Sequence, residues 1–251
     1  MRTYAVLLIA FALLLSGCSI LGFTPSPTTT NTDETGTEVT VDWVNYPAYE
    51  GYDGENLLGY PDQAELEPGA RELVEQLQTV IADTSGFALT SGEPERDWFA
   101  DNNWHPQDDN GYGGDSILTT VNCCDFSSDG APMSSEWQRV LDAASQVTQD
   151  AGLGKFVLDD EREWCGDTGE QCWRWAGTAT DGVQWIFITI QDGALDPTGD
   201  AVNEAKRFGW PVASISFGYG ATVVPTGQVD EYTRALDPFL GLEQPASTSS
   251  D

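Results

Sequence analysis

The chain has 251 residues, of which 41 are acidic and 10 are basic, so its formal net charge is −31 at neutral pH. Such a surface repels nucleic acid and anionic lipid headgroups, and we expect no nucleic-acid partner. Hydrophobic residues make up 40% and aromatic residues 11%, which suffices for a folded core and excludes a disordered chain. The acidity is more typical of an acidic proteome than of one specific ligand.

The amino-terminal segment predicts a secretory signal peptide over residues 1–17. Arg2 precedes an apolar run from residue 4 to residue 15, which is too short for a membrane-spanning helix of ~20 residues. Small residues then allow the chain to lie extended in a peptidase groove before a cysteine, in the tetrapeptide Leu15-Ser16-Gly17-Cys18.

This tetrapeptide resembles the lipobox of bacterial lipoproteins at every position. The resemblance implies a diacylglycerol thioether on Cys18, cleavage before it, and an acyl chain such as palmitate on the new amino terminus. Two or three acyl chains anchor a protein stably where one chain is marginal. The resemblance therefore predicts a lipoprotein on the extracytoplasmic face of a cell membrane. The alternative is an ordinary signal peptide with an unrelated cysteine at its end.

Composition divides the remaining chain into three parts. Residues 18–41 carry the lipidated cysteine and a Thr-, Pro- and Ser-rich stretch without a buried face, which predicts a tether. Residues 42–243 predict a single folded domain. Residues 244–251 are again rich in serine and predict a disordered tail.

Two amphipathic helices are predicted from apolar residues that recur with a 3.6-residue period. The first covers residues 66–81, with Pro68 near its first position. The second covers residues 137–151, with Ser135 as its amino-terminal cap and Gly152 at its end. Because each helix is apolar on one side, each is expected to cover a sheet.

A β-hairpin is the clearest strand pattern. Residues 172–180 and 183–190 flank Asp181-Gly182, which predicts a two-residue turn. In that register Trp175 lies opposite Ile188, on a Trp- and Ile-rich face that is expected to meet the helices.

Further elements complete an α+β fold. Strands are predicted at 116–123, 156–159 and 212–217, and short helices at about 200–208 and 229–236. This order predicts a two-layer sandwich with a mostly antiparallel sheet and helices on one face. The topology that fits best is a ferredoxin-like variant with an added hairpin strand.

Four cysteines follow Cys18, at positions Cys123, Cys124, Cys165 and Cys172. An even number in an oxidising compartment predicts two disulfides. Zinc is a competing interpretation, but adjacent cysteines and a six-residue gap do not match the usual ligand spacing. Three pairings are open. We favour joining Cys123 and Cys124 to both sides of the loop before the hairpin, because a vicinal bridge forces unusual backbone geometry.

Motifs for catalysis, metals and cofactors are weak. His105 lies in a polar segment. A Ser-His-Asp triad could use it, but the chain has no Gly-x-Ser-x-Gly sequence for the serine, so His105 is predicted to be a surface loop residue. The loop 108–115 is rich in oxygen ligands for calcium, but Tyr112 stands where an EF-hand needs an oxygen, so a solvated loop is favoured. Gly218-Tyr219-Gly220 lacks the third glycine of a dinucleotide motif and predicts a bend at a strand end. We predict no cofactor and no metal.

Loop aromatics are the remaining signal. Trp98, Phe99 and Trp104 lie in a segment rich in Asp and Asn, and four tyrosines precede the first helix, at positions Tyr46, Tyr49, Tyr52 and Tyr60. Exposed aromatic clusters form platforms for sugars or peptides, which makes Trp98, Phe99 and Trp104 candidate ligand-binding residues. The more common alternative is that such rings pin loops onto the core.

The helix over 137–151, the hexapeptide Gly152-Leu153-Gly154-Lys155-Phe156-Val157 and the apolar hairpin resemble the small LppA-like lipoproteins of actinobacteria. That family has no assigned activity, so the resemblance implies no catalytic residue. We therefore expect a non-catalytic, membrane-anchored domain that binds a small ligand or a protein of the cell envelope. The alternative is an envelope hydrolase that uses acidic residues, which would need an enclosed cleft with two carboxylates ~5–10 Å apart.

Overall fold

The computed structural model describes residues 25–32, 36–159 and 172–248. The predicted signal peptide, the lipobox with Cys18, and Cys165 lie outside the described residues. Among the residues that are described, no helix combines the length and the apolar character that crossing a membrane requires.

The described residues form five α-helices, α1 (Gly54–Leu58), α2 (Gln63–Ser85), α3 (Trp137–Asp150), α4 (Asp200–Phe208) and α5 (Val229–Leu236). They also form strands β1 (Thr28–Thr32), β2 (Glu38–Asp42), β3 (Thr90–Ser91), β4 (Trp104–Pro106), β5 (Thr119–Ser127), β6 (Val157–Leu158), β7 (Arg174–Thr180), β8 (Gln184–Asp192) and β9 (Ala213–Val223).

A seven-stranded antiparallel sheet carries the fold. Its order is β3-β5-β9-β8-β7-β6, with β4 paired to the edge of β5, and β1 pairs with β2 in a separate hairpin. The predicted two-layer α+β sandwich is confirmed. The consecutive elements β5, α3, β7, β8, α4 and β9 follow one another as in a ferredoxin-like unit. In the sheet, however, β9 lies between β5 and β8, whereas a ferredoxin-like order would place β5 directly beside β8.

The two long helices lie where the periodicity predicts them. The buried side chains of α2 include Leu66, Leu77 and Ile81, as expected for a one-sided helix. Its start was predicted too late, because Asp62 caps the helix through the N–H groups of residues 64 and 65, and Pro68 lies in the second turn.

The predicted cap of α3 is wrong. A 3₁₀ turn over residues 134–136 leads directly into this helix, so that Glu136 occupies the capping position and makes no side-chain capping bond. The end of the helix agrees with the prediction, because Gly152 adopts a positive φ of 90° just after it.

The hairpin pairs two residues away from the predicted register. Thr180 lies opposite Trp185, and Trp175 therefore lies opposite Ile190. The Asp181 carboxylate accepts hydrogen bonds from the N–H groups of residues 183 and 184, at 2.9 and 2.7 Å, and holds a longer loop than a two-residue turn. A shift of two residues keeps every side chain on its predicted face, and Trp175 meets Trp137 of α3 at 5.7 Å between ring centroids.

Both termini of the domain are more ordered than predicted. The expected tether contains the β1–β2 pairing, and Trp43 donates its indole N–H to Thr29 Oγ1 at 2.8 Å. The expected disordered tail is bound as far as residue 248: Gln244 Nε2 donates to the Tyr46 hydroxyl at 2.7 Å, and Tyr112 donates to the carbonyl of Pro245 at 3.1 Å. These two predictions are wrong within the described ranges, because both segments satisfy hydrogen-bonding groups of the domain.

Candidate ligand-binding surface

The side of the sheet that faces away from α2 and α3 is the candidate binding surface. Alternation along β8 directs Ile186 and Ile188 into the core and directs Trp185 and Phe187 to the opposite side. Phe187 is 37% exposed and Trp185 is half-buried. The open face is defined here as the residues on this side of the four central strands: Thr120, Asn122, Asp125, Ser127, Arg174, Ala176, Thr178, Thr180, Trp185, Phe187, Thr189, Gln191, Ser214, Ser216, Gly218, Gly220 and Thr222.

Two glycines of β9 seat the two aromatic rings. A Cβ atom on Gly220 would collide with the Trp185 indole, and one on Gly218 would collide with the Phe187 ring and the Asp125 carboxylate. Glycine inside a strand weakens it, and a close approach by another group is a common reason for its presence. The predicted bend at these glycines is wrong, because β9 continues through them to Val223. Because these two glycines have no side chain, the rings of Trp185 and Phe187 pack directly against the backbone of β9.

Polar groups with free hydrogen-bonding capacity surround the rings. Asn122 and Asp125 are exposed, and Thr189 and Ser216 are half-buried. Within the described part of the chain, none of these four side chains bonds to another protein group, and neither does the indole N–H of Trp185. The open face therefore offers ring surface and unused donors and acceptors side by side, on rigid strands.

A bulge in β5 places Asp125 on this surface. The pairing of β5 with β9 shifts between Cys123 and Phe126, and Cys124 has a φ of 63°, in the left-handed region. Cys123 and Cys124 are joined by a vicinal disulfide within this bulge, with Cα atoms 3.7 Å apart. The favoured pairing of these cysteines with the loop before the hairpin is therefore wrong. The left-handed residue supplies the backbone geometry that was expected to exclude a vicinal bridge.

The other predicted disulfide is shown in part. Cys172 is also disulfide-bonded. Because Cys123 and Cys124 bind each other, neither of them is its partner. Cys165 lies outside the described residues.

Asp125 is electrostatically distinct on this surface. Although the residue is exposed at the surface, neighbouring protein atoms partly desolvate its carboxyl group and raise its pKa above the ordinary value of 3.8. A carboxylate whose charge is poorly solvated gains from a hydrogen-bond donor on a bound molecule. Asp125 is therefore suited to accept a hydrogen bond from a ligand that lies across the rings.

The three loop aromatics predicted as ligand contacts are buried. Trp98, Phe99 and Trp104 are 4%, 5% and 8% exposed. Trp98 packs edge-on against Phe126, with ring centroids 5.5 Å apart, and Phe99 packs against Tyr219 at 5.8 Å. The interpretation as an exposed platform is therefore wrong for these residues. They pin their loop onto the core, which was the alternative.

The loop over residues 108–115 is held in place by the side-chain amide of Asn110. Asn110 is fully buried, its Nδ2 lies within 3.2 Å of the carbonyls of residues 43, 44 and 46, and its Oδ1 accepts the N–H groups of residues 112 and 114. The Asn110 side chain therefore holds two loops together, and in the sequence only the Asn-Gly pair at 110–111 indicated a special role for it.

His105 lies exposed on the short strand β4 rather than in a loop. Among the described residues, no group of three or more His, Cys, Asp or Glu side chains could hold a metal ion.

A groove lies between β2 and α5. This groove has a volume of about 610 Å³ and is walled by Val39, Val41 and Phe239, with Asp42, Asp115 and Arg234 also in its lining. The Asp42 carboxylate caps the 3₁₀ turn over residues 43–45, because it accepts the N–H of Val44 at 3.2 Å. The groove is open to solvent, whereas a hydrolase of this kind needs a carboxylate pair in an enclosed cleft.

Comparisons with protein-family profiles, with curated proteins and with solved structures give no match to the chain. The fold is that of a two-layer α+β domain, and the open face is its candidate functional site. The sequence analysis did not identify the aromatic pair of this face. Trp185 and Phe187 lie opposite Gly220 and Gly218 only when β8 and β9 pair, and the sequence alone does not show that pairing.

Proposed function

We propose that the chain is an extracytoplasmic lipoprotein, anchored in a cell membrane through Cys18, whose domain binds a ligand or an envelope protein without catalysing a reaction. The open face is the binding site in this proposal. The observation that carries it is the pairing of solvent-facing rings with unbonded polar groups on one rigid surface.

The sequence before the domain supports the anchor. Leu15-Ser16-Gly17-Cys18 resembles a lipobox, and the resemblance to LppA-like lipoproteins points to the same class. Ten steps along the chain lead from Cys18 to Thr28, where β1 begins. Fully extended they span at most ~35 Å, so the proposed anchor keeps the domain close to the membrane surface.

Lipidation is tested by substituting Cys18→Ser and fractionating the cells. The unmodified chain should sediment with membranes and carry the mass of a diacylglycerol, whereas Cys18→Ser should lose the added mass and leave the membrane fraction. Cys172→Ser is not a suitable control because Cys172 is disulfide-bonded, and Ser19→Ala serves instead. Unchanged mass and unchanged membrane association in Cys18→Ser would contradict the anchor.

Chemistry and geometry both favour binding over catalysis at the open face. Exposed antiparallel sheet faces usually carry polar side chains, and neighbouring exposed rings on such a face mark interaction sites. Among the described residues, the two rings lie on an open surface that does not exclude water from a reaction, and hydrolysis by two carboxylates needs a second acid beside Asp125.

Binding is tested by crosslinking intact cells, followed by pulldown of the unmodified chain and of the double variant Trp185→Ala/Phe187→Ala. The double variant should lose at least about tenfold in capture of the partner or ligand while keeping its melting temperature within a few degrees. The matched control is Phe208→Ala/Trp210→Ala, which removes another Phe and Trp that stack on each other and are 49% and 60% exposed.

Two results would contradict the proposed function. Equal loss in both double variants would show that exposed rings act non-specifically. Turnover of a peptidoglycan or glycan substrate that disappears on changing one acidic residue would establish the hydrolase instead, and Asp42→Asn, Asp115→Asn and Asp125→Asn are the variants to examine first.

A further inference from the structure

The open face is nearly uncharged although the chain is strongly acidic. Asp125 and Arg174, of opposite sign, are the only charged residues among those that define the face, whereas the whole chain has 41 acidic residues and a net charge of −31. An anionic ligand would be repelled by the chain as a whole. A cationic ligand would find denser carboxylates elsewhere, for example around α2, so charge alone would not bring it here. The face is therefore complementary to a neutral molecule.

The apolar part of the face is too small for a protein–protein interface. Specific protein partners bury ~800 Å² each and need an apolar centre that is sealed from water. Here two rings provide the apolar surface, and Trp185 is already half-buried against Gly220. The other residues of the open face are small, polar or charged, and at its edge the exposed Val157 of β6 lies opposite Thr178. The surface fits a narrow ligand that uses apolar and polar contacts at once.

The order of groups along the strands specifies that ligand further. Trp185 and Phe187 are two residues apart on one strand, so their Cα atoms follow one another at about 6.7 Å along β8 and both side chains lie on the same side of the sheet. Asn122 and Asp125 lie on one side of them and Thr178 on the other, across neighbouring strands. A ligand with C–H groups on its flat faces and hydroxyl groups on its edges meets both requirements, because C–H groups carry partial positive charge and aromatic faces partial negative charge.

We propose that the open face binds a neutral oligosaccharide, with consecutive sugar rings stacked on Trp185 and Phe187 and with hydroxyl groups bonded to Asn122, Asp125 and the indole N–H of Trp185. This inference rests on the proposed function, which takes the same face as the binding site. It adds the chemical class of the ligand, namely an uncharged polysaccharide chain of the kind found in cell walls or capsules.

The test uses the whole domain, residues 25–251, and isothermal titration with neutral hexasaccharides at millimolar concentration: chitohexaose, cellohexaose, xylohexaose and mannohexaose. At least one of them should bind, and a hyaluronan hexasaccharide, which is anionic, should not. Trp185→Ala and Phe187→Ala should each weaken binding by about tenfold or more, as expected for a residue that dominates a small interface. Phe208→Ala/Trp210→Ala should bind like the unmodified domain.

Gly220→Ala tests whether binding depends on the position of the Trp185 indole over Gly220. A Cβ there would displace the Trp185 indole without removing it, so this variant should also bind more weakly. In case a variant unfolds, the unmodified domain supplies a second measurement by NMR. The indole N–H resonance that is absent from Trp185→Phe should shift on addition of the saccharide that binds, and the indole resonances of the buried Trp43 and Trp137 should not.

The outcomes separate this inference from the proposed function. If no neutral hexasaccharide binds, but Trp185→Ala/Phe187→Ala still abolishes capture of a partner from cells, the oligosaccharide is wrong and the binding face stands. If a saccharide binds equally well to both double variants, its site lies elsewhere and the inference is overturned. Preferential binding of hyaluronan or of a decalysine peptide would overturn the neutral ligand.

Discussion

Asp125 shows how one residue of the open face differs from the acidic residues around it. Its carboxylate lies beside Gly218 because the bulge at Cys123–Cys124 turns the strand, and partial desolvation raises its pKa. A raised pKa means that the folded state binds a proton more strongly than the unfolded state does. The charge of Asp125 therefore reduces the stability of the domain at neutral pH.

The pH dependence of stability tests this residue. From the ordinary value of 3.8 up to the raised pKa, the folded state holds more protons, so this carboxyl group makes stability fall as pH rises through that window. Asp125→Asn should therefore be more stable than the unmodified domain at neutral pH in denaturant titrations, and the difference should vanish below the ordinary pKa. Asp129→Asn, at an exposed aspartate in the next turn, corrects for the general loss of negative charge. An equal gain in both variants would contradict the effect of desolvation.

Helix α2 shows how one element depends on its ends as well as on its buried stripe. Asp62 accepts two N–H groups at its start, at 3.0 and 3.1 Å, and the negative charge lies at the positive end of the helix dipole. At the other end Gly86 adopts a φ of 79° and donates its N–H to the carbonyl of Ala82. The helix is thus bounded at both ends by local signals.

Asp62→Ala should lower the free energy of unfolding by about 0.5–2 kcal/mol, because two N–H groups lose their acceptor. Asp83→Ala is the matched control: the same substitution removes an exposed aspartate from the last turn of the same helix. It should be neutral or slightly stabilising, since a negative charge is unfavourable near the carboxyl end of a helix. Chemical denaturation of the two variants measures the difference, and an equal loss in both would show that the cap contributes nothing.

The whole molecule carries far more negative charge than its cations neutralise. Within the described ranges the ion pairs are Arg71–Glu67, Arg96–Asp97 and Arg139–Glu136, all between residues close in sequence and at least partly exposed. Pairs of this kind contribute little to stability. The folded chain therefore brings many uncompensated carboxylates close together, and their repulsion opposes folding.

Salt should stabilise the domain for this reason. Between about 10 mM and 1 M salt the screening length falls from ~30 Å to ~3 Å, so repulsion between carboxylates is largely removed. We expect the melting temperature, followed by circular dichroism, to rise with NaCl and by the same amount with KCl, because screening depends on ionic strength. A melting temperature that falls or stays constant would contradict charge repulsion. A rise with one cation alone would indicate a specific ion site.

The predicted elements were accurate where the signal is local. The stripes that predict α2 and α3, and the alternation that predicts β7 and β8, arise from neighbours a few residues apart in the chain. The hairpin register was missed by two residues because the Asp181 side chain, bonded to two N–H groups of its own loop, competes with a tight turn. The cap of α3 was missed because a 3₁₀ turn precedes the helix.

The candidate site could not be predicted in the same way. Nothing near Trp98 or Trp185 in the chain shows that the first ring is buried and the second faces solvent. That difference arises because Trp98 meets Phe126 of β5, whereas Trp185 lies on the side of the sheet away from the long helices, over Gly220. Secondary structure and a one-sided core follow from short-range periodicity alone. The exposure of a particular ring depends on strands that are distant in sequence and become neighbours only when the sheet forms.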